Sequence, residues 1–152
     1  MSTAGIGNER VFVFLNQHRL SKELSYKWYI RRSSEHDREP IWEDQLTGRL
    51  FRLRKRQDKR GRNVLDLHIL ADEAYMLKVG YKTNFVRSLF GVLAKLESHA
   101  LKRTLTLKLE ESTQGHLFAR IYQDGQRVEP SFAKLGELDA ILIKLQGSLD
   151  ED

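Results

Sequence analysis

The sequence predicts an α+β fold in which antiparallel strands followed by a helix occur twice, the two units packing as two sheets in one domain. Three observations carry this expectation. Several runs alternate apolar and polar residues with the period of a half-buried strand. Two stretches place apolar residues at helical spacing, and each follows a set of those runs. Between the runs stand polar segments with glycine, in "QDKRGR", "TQG" and "QDGQ".

In chain order, "RVFVFLNQHRL" and "LSYKWYIRRSS" are rich in aromatic and β-branched residues and predict strands one and two. "EHDREPIWEDQLTG" is polar, contains Pro40 and predicts a connection with Trp42 tucked in; Trp28 and Trp42 are assigned to the core. A hairpin follows. Its first arm, Leu50 to Arg56, sets Phe51 and Leu53 inward against Arg52, Arg54 and Arg56; its second, Val64 to Leu70, sets Leu65, Leu67 and Ile69 against Asp66 and His68. Gly61 supplies the left-handed position of the turn. A short strand is expected through Tyr75 to Lys78, and then a helix capped by Asn84, with Phe85, Leu89, Leu93 and Leu96 on one face.

The pattern then starts again. Leu105, Leu107 and Leu109 alternate inward, and Leu117, Ala119 and Ile121 do so against His116, Phe118, Arg120 and Tyr122. "RVEPSFAKL" is extended up to Pro130, and a last helix carries Leu138, Ile141, Leu142 and Leu145 on one face. The expected organisation is a tail without fixed structure over 1–8, one domain over 9–149 built from units of about 9–99 and 102–149, and an acidic tip at 150–152.

Composition bounds the function. A chain of 152 residues with 40% hydrophobic residues can bury one ordinary core, and its mean hydropathy of −0.53 and lack of a long apolar run predict no membrane span. No secretory leader is visible in "MSTAGIGNER", and cysteine is absent, which excludes disulfides and thiol chemistry and suits the cytoplasm, including a nucleoid. No metalloprotease, phosphate-loop or nucleophile-elbow motif occurs, and the acidic cluster "SEHDRE" lies in a polar linker where a solvated charge run is the plainer reading. The expectation is a protein that is not an enzyme and needs no cofactor or metal.

The charge is concentrated. Arg49, Arg52, Arg54, Lys55, Arg56, Lys59, Arg60 and Arg62 stand against the single acid Asp58, about +7 within a chain of net +5. Cations about 6.5–7 Å apart along an extended strand suit a phosphate backbone, and flat side chains beside them suit stacked bases. The outward sets Lys27, Tyr29, Arg31 and Phe118, Arg120, Tyr122 put aromatic residues among further cations. The expected partner is therefore single-stranded DNA or RNA, bound with little sequence preference. Two plainer readings stay open: arginines guard an exposed edge against aggregation, and the aromatics equally suit a protein contact. A non-enzymatic adaptor or assembly subunit is the competing class.

The stretch from Lys102 to Leu149, with its leucine-alternating strand, glycine turn, aromatic strand, second turn, extended segment and helix, resembles the second half of the Whirly family of single-stranded DNA-binding proteins. The whole chain resembles the same fold, shared in shorter form by positive-cofactor transcriptional coactivators and Pur-alpha repeats. The resemblance is one of layout. It implies two roughly perpendicular antiparallel sheets, helices that mediate tetramer formation, and single strands bound along sheet edges between protomers. The apolar faces of the two helices, Phe85, Leu89, Phe90, Leu93 and Leu138, Ile141, Leu142, Leu145, agree with a homo-oligomer.

Overall fold

The computed structural model describes the backbone of three short N-terminal strands and the residues from 43 to 150 in full. The strands are β1 (Val11–Leu15), β2 (Trp28–Ile30), β3 (Glu39–Ile41), β4 (Gln45–Gln57), β5 (Asn63–Leu70) and β6 (Ala74–Gly80). Helix α1 (Asn84–Leu93) and a single turn, α2 (Ser98–Leu101), come next. Then follow β7 (Leu105–Glu111), β8 (Leu117–Gln123), the two-residue β9 (Gln126–Arg127), a 3-10 turn over Leu135–Glu137 and α3 (Leu138–Asp150). The expected tail, Lys27, Arg31, Trp42 and the last two residues of the acidic tip lie outside the described residues, while Asp150 ends α3.

The α+β class holds, but the strands do not divide into two packed sheets. Hydrogen bonds join them in one open sheet, ordered β3-β2-β1-β6-β5-β4-β7-β8-β9. Every neighbouring pair is antiparallel except β1 with β6, where Val11 pairs with Tyr75 and Phe14 with Lys78. Strand β4 makes the sheet continuous by changing partners along its length. Its first residues pair with β7, from Gln45 with Lys108 to Gly48 with Leu105, and the rest pairs with β5, from Arg49 with Leu70 to Gln57 with Asn63. Gly48 sits at the changeover, where a Cβ would come within 2.6 Å of the Leu70 carbonyl oxygen. The polar stretch read as a connection thus contains β3 and the start of β4. Pro40 is tolerated in β3 because that strand ends the sheet, where a missing N–H breaks no ladder. Nor are the two strand-then-helix runs a structural repeat: α1 follows six strands, α3 follows three, and only the first run contains a parallel pair.

One core unites the strands on both sides of the β4 changeover. Leu53, Leu65, Leu67, Ile69 and Leu77 from β4, β5 and β6 and Leu105, Leu107, Leu109, Ala119 and Ile121 from β7 and β8 pack with the helices. These are the positions that period-2 alternation selects, apart from one phase change in β4. Thr83, and not Asn84, caps α1, accepting a hydrogen bond from the Val86 N–H, so that Asn84 is already the first helical residue.

The helices cover edges as well as faces. Because β9 reaches only the Tyr122–Gln123 end of β8, the Ala119 N–H is left to α1, whose buried Ser88 hydroxyl accepts it at 2.8 Å. Beyond its pairing with β7, β4 is met by α3, where the Gln146 amide donates to the Leu53 carbonyl at 3.0 Å. Phe85, Leu89, Phe90 and Leu93 are each 2% exposed or less, and Leu138, Leu142 and Leu145 are buried too. Most of the apolar surface of these two helical faces is therefore buried within the chain, with Ile141 partly covered.

Candidate nucleic-acid interface

The arginine-rich arm lies within β4, and its geometry departs from simple alternation at one residue. Leu50 pairs with Ile69 and Arg52 with His68, so Phe51 is the extra residue of a β-bulge. A bulge advances the side-chain phase by one. Leu50 and Leu53 both point into the core at 4% and 3% exposure, while Phe51 turns out and stays 41% exposed. The expectation that Phe51 faces inward is thereby corrected. Its ring stands near-perpendicular to that of His68, with centroids 5.5 Å apart.

The cations of the run separate into two groups. Lys55 points to the helix side, where its ammonium lies 4.4 Å from the Tyr81 ring centroid and 3.1 Å from the Asp139 carboxylate. Arg56 is not a free outward arginine either: its guanidinium is bonded to Asp66, a carboxylate 3% exposed. Arg62 pairs with Asp58 across the hairpin turn at 3.1 Å. Arg49, Arg52, Arg54, Lys59 and Arg60 remain, all exposed and none ion-paired to a described residue.

The turn that presents Lys59 and Arg60 is rigidly built. Asp58 accepts the N–H groups of Arg60 and Arg62, each at 2.9 Å, and Gly61 takes the left-handed φ of 79° that the turn requires. These hydrogen bonds, the Arg62 N–H foremost, hold the Asp58 carboxyl below the ordinary carboxylate range. The one acid in the run is thus absorbed by its own turn, and the tip is left cationic.

The other predicted sets fare differently. Register places Phe118, Arg120 and Tyr122 on the outer face with Thr47, Thr106 and Lys108, along the row Thr47–Thr106–Tyr122–Arg127. All three are half-buried. Phe118 leans on Phe132 with centroids 6.1 Å apart, and Phe132 in turn lies under Arg87. Arg120 is 3.6 Å from Glu110, its side chain only 18% exposed. Tyr122 keeps an exposed cation, Arg127, as its register partner. In β2, Tyr29 pairs with Phe14, which pairs with Lys78, then Asp66 and Arg54, so its backbone falls in the same cross-strand row as the arginine arm.

Sequence reasoning missed Phe51, although a signal was present. Leu46 and Leu50 share one phase of the period-2 alternation and Leu53 falls in the other, a break that a bulge at the intervening Phe51 accounts for. Among the described residues no group of three or more His, Asp or Glu is placed to hold a metal ion, and no helix is long and apolar enough to cross a membrane. Comparison with protein-family models, curated proteins and solved structures finds no match to the chain.

Proposed function

We propose that the protein binds single-stranded nucleic acid, DNA or RNA, through the outer face of β4 and the β4–β5 turn, with little dependence on sequence. The observation that carries this reading is the set of five exposed cations, Arg49, Arg52, Arg54, Lys59 and Arg60, without ion-pair partners among the described residues on one hairpin, while Lys55, Arg56 and Arg62 are absorbed by the fold. Arg52 and Arg54, about 6.5–7 Å apart on one strand face, with Arg49 before the bulge and Lys59 and Arg60 in the turn, match a ligand whose charges repeat along a line. No basic recognition helix is present among the described residues, since α1 is nearly all buried and α3 carries a single cation, Lys144. The grip is thus on the backbone, which every sequence shares.

The test is fluorescence anisotropy with labelled single strands and duplexes of equal length over a series of salt concentrations. Single strands should bind more tightly than duplex. The logarithm of affinity should fall with the logarithm of salt at a slope of about −0.7 per phosphate contacted, to about −3.5 if all five cations engage. Absence of binding at low salt would overturn the proposal.

A further inference from the structure

Resting on that reading, we infer that Phe51 is the base-stacking platform of the interface, a residue whose place in the site comes from the bulge alone. Of the described phenylalanines, Phe85 and Phe90 are buried, and Phe118 and Phe132 are engaged with each other and with Arg120 and Arg87. Phe51 is different. Phe132 is as open at 45% but packs with Phe118 and Arg87, whereas Phe51, 41% exposed, meets one ring among the described residues, that of the buried His68 beside it. As the extra residue of the bulge, Phe51 is turned out of the core, one part of its ring against His68 and the rest open to solvent.

Its neighbours indicate what the open side receives. Arg49 and Arg52 flank it in sequence and Arg54 follows on the same face, all exposed and without ion-pair partners among the described residues. An apolar protein segment would leave those three charges uncompensated around the contact. A nucleotide supplies both needs together, a flat apolar base for the ring and a phosphate for the flanking guanidinium groups. The base must be unpaired to reach the ring, so this residue would provide the preference for single strands that cations alone do not. His68 limits the tilt of the ring, and the bulge leaves no regular ladder position into which Phe51 can turn back.

The experiment compares the full chain with Phe51→Leu on three probes: an oligothymidine, an abasic strand of equal length, and an oligonucleotide carrying 2-aminopurine. The expected result for F51L is about 5- to 100-fold weaker binding to oligothymidine with an unchanged salt slope, because stacking releases few ions. Binding to the abasic strand should match wild type, which also shows that the variant is folded, and the quenching of 2-aminopurine on binding should be lost. Wild-type affinity and quenching in F51L would overturn the inference, and so would an equal loss on the abasic strand. The failures are distinguishable. If wild type binds and the joint change R49Q/R52Q/R54Q weakens it while F51L does not, only the stacking role falls; if wild type binds no strand, the proposed function falls with it.

Discussion

The outer faces of β4 and β8 present the same alternation of arginine and aromatic residues and reach opposite states. On β8, Arg120 is drawn to Glu110 of the neighbouring strand and Phe118 is covered by Phe132. On β4, Arg52 and Arg54 stay free and Phe51 stays open. The difference lies in the adjoining strand. β7 ends in Glu110 and Glu111, whereas β5 brings one acid, Asp66, and Arg56 takes it. A run of cations therefore becomes an available surface only where the neighbouring strand is poor in acids, a property of the pairing and not of the run.

The largest effect should come from removing the free cations. Arg49, Arg52 and Arg54 replaced together by Gln should shallow the salt slope by about 2 units and weaken binding about a hundredfold at 0.1 M salt, three contacts at about 0.7 log units each over one decade. R120Q should leave the slope within about half a unit. Equal slopes for wild type and the triple variant in a salt titration would erase the contrast between the strands.

Within β4 the contrast narrows to two residues apart. Arg56→Gln strands the buried Asp66 carboxylate and should cost about 2–3 kcal/mol in urea unfolding, below the usual 3–5 for a buried pair because Arg56 is partly exposed. R54Q should cost less than about 0.5 kcal/mol. Adding Asp66→Asn to R56Q should recover part of the loss, and an unchanged midpoint in R56Q would mean that the pair contributes nothing.

On β8, Phe118→Ala should destabilise by about 1–2 kcal/mol through its contact with Phe132, while affinity for single strands changes less than about threefold. A large loss of affinity with unchanged stability would move the aromatic platform from β4 to β8.

The smallest effect concerns Asp139, which links Lys55 and α3. The Tyr81 hydroxyl and the Lys55 ammonium hold its carboxyl below its ordinary 3.8. A lowered carboxylate stabilises the fold above about pH 4 and loses that contribution as the pH falls further and the folded state is protonated. The difference in Tm between wild type and D139N should thus be present at pH 6 and shrink steadily as the pH falls below 3.8. Tyr81 has its hydroxyl pushed up by burial and by Asp139, so its contribution persists below pH 10 and fades in stronger alkali.

Much of the fold was legible because it is local. Leu65, Leu67 and Ile69, the leucines of β7, the faces of α1 and α3, the left-handed Gly61 and the turns at Gly115 and Gly125 follow from spacing and turn chemistry within a few residues. What was not legible depends on partners distant in sequence. No local feature announces that β1 lies parallel to β6, that β4 exchanges β7 for β5 at Gly48, or that Asp66 selects Arg56 over Arg54, its own register partner. The site divides the same way. Its charges were visible as a run, but which of them remain free was decided by carboxylates on β5, on α3 and in the hairpin turn itself.

The shared strand β4 also bears on the order in which the molecule assembles. Its pairing with β5, and that of β5 with β6, close over turns of a few residues, whereas Thr47 meets Thr106 across 59 residues and Val11 meets Tyr75 across a comparable span. Closing a long loop costs more chain entropy than closing a short one, so the meander of β4, β5 and β6 is the favoured nucleus, and β7 and β1 add to its two sides afterwards. In stopped-flow measurements, truncating Leu67 should therefore slow folding, while truncating Leu107 should chiefly hasten unfolding; the reverse assignment would place the nucleus elsewhere. The cationic hairpin would then exist before the domain around it is complete, and a nascent chain would present its charged surface while most of its core was still unformed.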